Sequence, residues 1–317
     1  MKYQSGASLL VSEQTSKWRC YKKQRNRKLL VQSLKRFVQA LLQKIHLYQR
    51  LKESWLYDLF WRVADRRLIE ERDREVEFYR SVLAGFRKND LIFDIGANNG
   101  SKTSTFLRLG ARVVAVDPDE SNQRVLRERF LSCRVFKKPV SIIGKALSER
   151  KGVETFWIEE PGSGKNTLNQ KWVETLRQDE ARFGERFAFR QKKAVPTITL
   201  DDLISTYGSP FFIKIDVEGH EEKVLRGLRH PVPYLSFEVN LPEFRLEGLK
   251  CIELLNRLMP EARFNYVIES RSEIASPQWL DSRELSGVLE NCPEKSIEIY
   301  CRDRIAHPAA SNGFRPV

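Results

Sequence analysis

From Leu91 onward, short apolar segments alternate with segments of helical period, and this alternation constrains the fold more than any other feature of the sequence. Residues 91–95, 112–116 and 211–215 are almost wholly apolar, which is typical of strands buried on both faces. Repeated βα units build a parallel sheet with helices on both faces. We therefore expect an α/β fold with a Rossmann-like, doubly wound sheet.

The other strands and helices are predicted from the same two periods. The predicted strands are 140–147, 152–158, 234–239, 264–269 and 296–301, and the predicted helices are 102–109, 121–130, 199–206, 221–228 and 249–258. No clear helix separates the last two strands. We therefore expect an antiparallel pair at one edge of a mostly parallel sheet.

The basic residues concentrate at the N-terminus. Of the 55 Lys and Arg residues, 12 lie in residues 1–50 beside a single acid, Glu13, and the rest of the chain is close to neutral. An α/β domain of this charge does not call for a nucleic-acid substrate. We divide the chain into a basic, partly disordered and helical extension (1–75), the α/β domain (76–303) and a flexible C-terminal tail (304–317).

Within the extension, residues 30–48 carry apolar side chains at helical spacing between basic ones, which predicts an amphipathic helix. Two interpretations are open for this helix. One is functional: residues 22–48 would contact a membrane surface or form a dimerisation arm. The other is that the helix simply packs on the neighbouring domain. Neither interpretation defines an oligomeric state.

Five cysteines are scattered along the chain, without a CxxC motif or a Cys/His cluster of zinc type: Cys20, Cys133, Cys251, Cys292 and Cys301. We interpret them as reduced thiols of a reducing compartment. No signal peptide and no transmembrane segment of ~20 apolar residues is visible. We expect a cytoplasmic protein, with peripheral membrane association through the basic extension as a further hypothesis.

The first predicted strand ends in a turn that contains Asp94, Gly96, Asn98 and Gly100. Small residues at this turn allow the backbone to approach a ligand, and ligands of doubly wound sheets bind beyond the carboxyl ends of the strands. The alternative is an ordinary βα turn with glycine for geometry. Asp117 follows the second strand, where a carboxylate can accept hydrogen bonds from ribose hydroxyls.

The spacing of the turn is D-x-G-x-x-x-G and departs from the G-x-G-x-x-G pattern that admits a dinucleotide pyrophosphate. The turn fits S-adenosylmethionine, which carries a ribose but no phosphate, and Asp94 would meet its amino group directly or through water. The residues therefore predict a methyltransferase. Two alternatives to this interpretation are kept. One is an NAD(P)-dependent oxidoreductase on a Rossmann fold, and the other is a non-catalytic scaffold that retains the fold.

A second group of polar residues follows the strand at 211–215. Asp216, Glu218 and His220 would lie where an acceptor hydroxyl meets a methyl donor. His220 is a base by its intrinsic pKa, a carboxylate could serve if apolar surroundings raised its pKa, and carboxylates here could also bind a divalent cation. The alternative for the group, above all for Glu221, is helix capping.

Two further features are candidates for substrate contacts. Glu238 lies in an apolar strand, where an unpaired charge is costly, so it should contact substrate or pair with Lys214. Residues 159–168 are rich in turn formers and could form a lid over the acceptor or a solvated loop.

These residues together resemble the FkbM-type methyltransferases over about residues 76–300. The motifs that carry the resemblance are Phe93 to Gly100, Val116-Asp117-Pro118, Ala146-Leu147-Ser148 with Gly152 and Thr155-Phe156, Thr199 to Leu203, and above all Ile213 to Glu221. The Lys-x-Asp-x-Glu-Gly-x-Glu stretch is much more specific than the glycine turn.

The resemblance implies a class I methyltransferase fold, S-adenosylmethionine as donor, and O-methylation of a sugar, a glycolipid or polysaccharide unit, or a secondary metabolite. By position, it implies a donor site at Asp94, Gly96, Asn98 and Asp117, with Ala146 near the adenine. It also implies an acceptor site bordered by Asp216, Glu218 and His220.

Overall fold

The computed structural model describes residues 48–64, 66–131, 140–178, 180, 184, 186–268 and 273–303. The chain divides after Ile69 into two compact units, residues 1–69 and 70–317, and each is described separately. The predicted helix at 30–48 lies outside the described residues except for Tyr48. Almost all of the segment proposed to contact a membrane and the whole tail from residue 304 also lie outside them.

Short helices make up the described part of the first unit: α1 at Tyr48–Leu51, α2 at Trp55–Ala64, and the start of α3 at Arg66–Val82. Trp61 is almost fully buried and makes edge-to-face contacts with Tyr57 and Phe60. The domain limit predicted at residue 75 falls inside α3.

The second unit holds the α/β fold. Its further helices are α4 Ser101–Leu109, α5 Glu120–Arg129, α6 Gln170–Gln178, α7 Leu200–Tyr207, α8 Glu221–Arg226, α9 Arg245–Leu258 and α10 Ser282–Glu290. Its strands are β1 Leu91–Ile95, β2 Arg112–Val116, β3 Val140–Ile143, β4 Ala146–Leu147, β5 Gly152–Ile158, β6 Gln191–Ile198, β7 Phe212–Ile215, β8 Tyr234–Asn240, β9 Arg263–Ile268 and β10 Ser296–Arg302.

Within the described residues, seven strands form one sheet in the order β3-β2-β1-β7-β8-β10-β9. In this order, the five strands β3, β2, β1, β7 and β8 pair in parallel. By contrast, β10 runs antiparallel to both β8 and the edge strand β9. The predicted α/β class, doubly wound and mostly parallel with an antiparallel edge pair, is confirmed.

Alternate residues of β1 point to the two faces of the sheet, as the period of a strand requires. Phe93 packs in a core with Trp172 and Phe237, whereas Ile92 packs on the opposite face with Phe106 of α4. Every residue of β1 is buried. Both faces of the sheet are therefore covered, and its carboxyl edge is left for a ligand.

The single strand predicted at 140–147 is divided in the structure between two sheets. β3 ends at Ile143 in the large sheet, and β4 begins at Ala146 in a small sheet of order β4-β6-β5. The chain turns at Gly144, where a Cβ atom would lie 2.3 Å from the Gln123 side chain. The sequence analysis missed β6, because its mostly exposed residues obscure the strand period.

Helix α10 between β9 and β10 also corrects the prediction of no clear helix there. Asp281 caps it, because its carboxylate accepts hydrogen bonds from the N–H groups of Arg283 and Glu284 while the Glu284 side chain accepts from the Asp281 N–H. This reciprocal cap is a sequence-level signal of a helix start that the apolar pattern alone did not reveal.

Candidate functional site

A cleft opens at the carboxyl ends of β1, β2 and β7, where the strand order reverses on either side of β1. It encloses about 690 Å³ of empty space, which includes the open solvent at its mouth. Of the predicted site residues, it is lined by Gly96, Asn98, Asp117, Ala146, Asp216, Glu218 and His220. Asp94 and Gly100 do not line the cleft.

The glycine turn forms the floor of the cleft. Gly96 has a φ of +80°, and a Cβ atom at this position would lie 1.7 Å from the Asp216 carbonyl oxygen. Only glycine therefore lets the turn after β1 pack against the end of β7. Gly100 is instead needed for close packing, since a Cβ atom there would lie 2.7 Å from side chains of Leu126 and Phe130.

Asp94 lies beneath the turn and is fully buried. Thr103 donates a hydrogen bond of 2.5 Å to its Oδ2, and Oδ1 has no hydrogen-bond partner among the residues that the structure describes. Burial raises the pKa of Asp94, against the opposing effect of the Lys214 ammonium. A buried oxygen without a partner is costly. A hydrogen bond to Oδ1 from a ligand amine or a water molecule would remove this cost.

Asp117 is the carboxylate at the end of β2, and it is nearly buried in the cleft wall. The N–H groups of Asn98 and Asp119 each donate to it at 2.8 Å, and the Asn122 amide lies 3.3 Å from both of its oxygens. Burial raises the pKa of Asp117 to about 6. The sequence analysis missed Asn122, although its place one turn into the helix after Asp117 would have indicated it.

An apolar wall faces Asp117 across the cleft. Ala146 and Leu147 of β4 contribute to it together with Phe156 of β5 and Leu168. Ala146 and Phe156 are buried against one another in a small core of their own. The small sheet and Leu168 therefore provide apolar side chains on which a heterocyclic base can pack.

Asp216 and Glu218 follow β7 and differ in their electrostatic surroundings. Lys214 donates a hydrogen bond of 2.8 Å to Asp216. Burial alone would raise the pKa of Asp216, but the Lys214 ammonium outweighs it and lowers the pKa. Burial raises the pKa of Glu218 to about 7, against the opposing effect of the Lys165 ammonium. At neutral pH, Asp216 is therefore ionised and Glu218 is close to half-protonated.

His220 is 2% exposed and lies at the start of α8. Its Nε2 is 3.4 Å from the Ser148 hydroxyl and 3.7 Å from a Glu154 carboxylate oxygen. Burial lowers the pKa of His220 to about 4, although the Glu154 charge acts in the opposite direction. The imidazole is therefore neutral at physiological pH, and its Nε2 is engaged by protein groups.

Glu221 holds the loop that carries these residues. Its Oε1 accepts hydrogen bonds from the N–H groups of Val217 and Gly219. The loop has a left-handed residue at Glu218, with φ of +55°, a conformation that costs free energy in a residue other than glycine. Glu221 therefore fastens the loop before α8, whose N-terminus has no side-chain cap, and burial raises the pKa of Glu221 to about 8.

The insertion after β5 crosses the mouth of the cleft. On one side, Asp119 accepts hydrogen bonds from the Gly162 N–H at 2.9 Å and from the Asn166 amide at 2.7 Å. On the other, Trp172 of α6 donates to the Glu218 carboxylate at 2.9 Å. The insertion is therefore tied to both rims, as a closed lid would be. The sequence did not single out Asn166 or Trp172 for this contact.

Glu238 does not line the cleft. It faces Glu298 in the β8–β10 register, and its side chain hydrogen-bonds to Asp216. Burial raises the pKa of Glu238 well above its usual value, and the nearby charge of Asp216 raises it further. A protonated Glu238 therefore donates to the ionised Asp216.

Within the described residues, no group of three or more His, Cys, Asp or Glu side chains is arranged to hold a metal ion. The same residues include no helix long and apolar enough to cross a membrane. Cys251, Cys292 and Cys301 are buried free thiols.

The strand order, the acid after β2 and the cleft at the topological switch point define a Rossmann-like α/β protein with a small-molecule site. The sequence model of the methyltransferase FkbM domain matches residues 94–264. The chain belongs to this family of S-adenosylmethionine-dependent methyltransferases. A comparison with curated proteins gives no match in sequence.

Solved structures with a similar arrangement include the methyltransferase FkbM of Methylobacillus flagellatus KT. The identity is 17% and the TM-score is 0.44, over 71% of this chain and 47% of that one. The chain thus spans about half the length of that protein. The precorrin-6y C5,15-methyltransferase of Geobacter metallireducens GS-15 is 8% identical with a TM-score of 0.36, over 74% of this chain and 87% of that one.

Proposed function

We propose that the protein binds S-adenosylmethionine in the cleft and transfers its methyl group to a hydroxyl oxygen of a small molecule or glycan. The observation that carries the proposal is the pairing, across one cleft, of the Asp117 carboxylate with the apolar wall around Ala146. This pairing fits a nucleoside, whose ribose hydroxyls donate to a carboxylate while its base packs on apolar side chains.

Three features of the chain fit the remainder of the donor. The two Asn122 contacts to Asp117 are long enough for ribose hydroxyls to replace them. Asp94 lies beneath the turn and does not line the cleft, so its Oδ1 would accept from the amino group through a water molecule. The cleft wall around Asp216 and Glu218 carries negative charge, which favours a sulfonium.

Bound S-adenosylmethionine would supply an electrophilic methyl group: the acceptor oxygen forms a C–O bond, the C–S bond breaks with its electron pair going to sulfur, and the hydroxyl proton goes to a base. Asp216 is ionised and would hold that hydroxyl by a hydrogen bond. An oxygen that has gained a methyl group is far more acidic than a carboxylic acid, so even a carboxylate of lowered pKa takes the proton. Glu218 is the second candidate base because its pKa is about 7. His220, neutral and held by Ser148 and Glu154, would position the loop.

The test is thermal unfolding with S-adenosylhomocysteine, with NADH as the control ligand. A ligand at 100 times its Kd stabilises by about 2.7 kcal/mol, which for a domain of this size raises the Tm by roughly 5–10 °C. We expect this shift with S-adenosylhomocysteine alone. A shift with NADH alone would favour an oxidoreductase, and no shift with either ligand would favour a non-catalytic scaffold.

A further inference from the structure

A second pocket adjoins the donor cleft on the face of the sheet that α3 and α4 cover. It encloses about 920 Å³ of empty space counted out to its mouth and is lined by Asp216 and by residues of α3, α4, β7, β8, β9 and β10. Asp216 lines both this pocket and the donor cleft. The end of β7 is therefore the partition between the two spaces.

We propose that the second pocket is the acceptor site and that it takes a sugar, one hydroxyl of which reaches the donor cleft at Asp216. The inference rests on the methyltransferase function proposed above and adds the location and chemistry of the acceptor site.

A third space, a groove that Lys192 and Glu247 help to line, also touches the donor cleft. Location favours the second pocket over this groove as the acceptor site. Methyl transfer requires reacting atoms within roughly 3–3.5 Å of each other, so the acceptor must reach the donor past a residue that both spaces share. Asp216 offers such a passage, because its side chain is 37% exposed. The other groove, which Lys192 and Glu247 help to line, meets the cleft at Leu168 and at His220, and the His220 ring is 2% exposed.

The side chains of the second pocket suit a ligand with several hydroxyl groups. Glu75 and Glu298 provide carboxylate acceptors, and Lys102 provides a donor. Each group is already oriented: Glu75 pairs with Lys102 and accepts from the Thr105 hydroxyl at 2.7 Å, and Glu298 accepts from Ser236 at 2.8 Å. Hydrogen bonds to ionised groups are the stronger class.

Aromatic rings complete the pocket. Phe78 and Tyr79 of α3 contribute to the lining, and Phe78 packs edge to face against Tyr300 of β10. A sugar ring presents apolar C–H groups on its faces and hydroxyls around its edge. Tyr79 and Tyr300 are almost fully buried, so the partly exposed ring of Phe78 provides the aromatic surface that, beside the carboxylates, matches both parts of such a ligand. The excess of acids over bases disfavours an anionic acceptor.

The two pockets also differ in how they relate to the family. Every residue that lines the donor cleft falls within residues 94–264, which the family model matches. Glu75, Phe78 and Tyr79 precede that segment, and Ser296, Glu298 and Tyr300 follow it. The second pocket therefore combines residues of the matched segment, such as Asp216, with residues from both of its flanks.

The experiment measures transfer of tritiated methyl from S-adenosylmethionine to the methyl glycosides of glucose, mannose, rhamnose and fucose. Glu298→Gln and Glu75→Gln keep the side-chain volume but remove the charge. Glu247→Gln makes the same change in the other groove, where Glu247 pairs with Lys171. The Kd of S-adenosylhomocysteine is measured for every variant.

We expect transfer to at least one glycoside. Each pocket variant should raise its KM by roughly tenfold or more, leaving the Kd of S-adenosylhomocysteine within twofold of wild type, and Glu247→Gln should change neither value. The pocket assignment is overturned if neither pocket variant raises KM, whatever the effect of Glu247→Gln, and the sugar class is overturned if an enzyme that binds S-adenosylhomocysteine methylates no glycoside. Failure to bind S-adenosylhomocysteine at all would instead overturn the proposed function, and the acceptor site with it.

Discussion

Lys214 donates a hydrogen bond of 2.8 Å to Asp216 across the carboxyl end of β7. The Lys214 side chain is 4% exposed, so this pair compensates a buried ammonium with the carboxylate that borders both pockets. The nearby carboxylates of Glu298 and Asp94 also favour the charged lysine. This one ion pair therefore contributes both to the stability of the sheet and to the electrostatics of the site.

Replacement of this lysine tests the pair. Removing one partner of a buried ion pair is strongly destabilising, and since Asp216 is more than a third exposed, we expect Lys214→Met to lower the free energy of unfolding by about 2 kcal/mol. Urea denaturation measures it. Lys102→Met is the matched control, because its pair with Glu75 is more exposed and should contribute less than about 1 kcal/mol. Equal losses in the two variants would contradict the prediction.

The raised pKa of Asp117 predicts a pH dependence of donor binding. Burial places this pKa at about 6, so the carboxylate is ionised above pH 6 and protonated below it. Ribose hydroxyls donate to the ionised form, so the affinity for S-adenosylhomocysteine should fall as the pH drops, by up to about tenfold per unit. Calorimetric titrations between pH 5 and 8 measure this change.

Asp117→Asn should bind S-adenosylhomocysteine more weakly at pH 8 and lose the pH dependence that centres near 6. A variant that keeps the wild-type profile would assign the titration to another group, of which Glu218 is the nearest candidate by pKa.

The lid contacts predict a kinetic effect. Asn166 donates to Asp119 across the cleft mouth, so Asn166→Ala should raise the dissociation rate of S-adenosylhomocysteine several-fold and speed hydrogen exchange in residues 159–169. The Asn166 side chain also bonds to the backbone of Glu159 and Glu160, so the stability of the fold should fall by up to about 3 kcal/mol, the value of three hydrogen bonds. Gln170→Ala serves as the control, since Gln170 only pairs with Glu174 on an exposed helix face. Unchanged exchange in Asn166→Ala would rule out the lid interpretation.

Two glycines with positive φ separate backbone strain from close packing. Gly96 and Gly208 have φ values of +80° and +96°, but a Cβ atom at Gly208 meets nothing within 4 Å. Because Gly208 also has a ψ of 172°, in a region that few residues other than glycine adopt, we expect Gly208→Ala to cost about 2 kcal/mol from backbone strain alone. Gly96→Ala should cost about 3 kcal/mol or more, because the Asp216 carbonyl must move as well. Similar losses by urea denaturation would show that the turn relaxes freely.

Much of the fold was predictable because its signals are local. The apolar runs of β1, β2 and β7 identify buried strands, and the glycine turn after β1 marks the carboxyl edge where a ligand binds. The same locality explains the errors. The strand predicted at 140–147 ignored a turn at Gly144 that depends on contact with Gln123, and α10 was missed because its signal lies in the cap at Asp281.

Within the site, the sequence indicated the chemistry of Asp117, Asp216, Glu218 and His220 before their positions were known. Their placement in one cleft follows from the parallel strands, whose carboxyl ends meet at one edge. Side-chain exposure and pKa do not follow from the sequence, since they depend on what covers each group. His220 is the clearest case: its imidazole has the right intrinsic pKa for a base, yet burial leaves it neutral.

The second pocket was not visible in the sequence. Glu75, Asp216 and Glu298 lie far apart along the chain and belong to a helix and two non-consecutive strands, so no motif or period relates them. Residue type and spacing establish elements and turns, because these depend on neighbours within a few positions. The pocket exists only because α3 packs on one face of the sheet beside β10. Such long-range packing is decided by the tertiary structure.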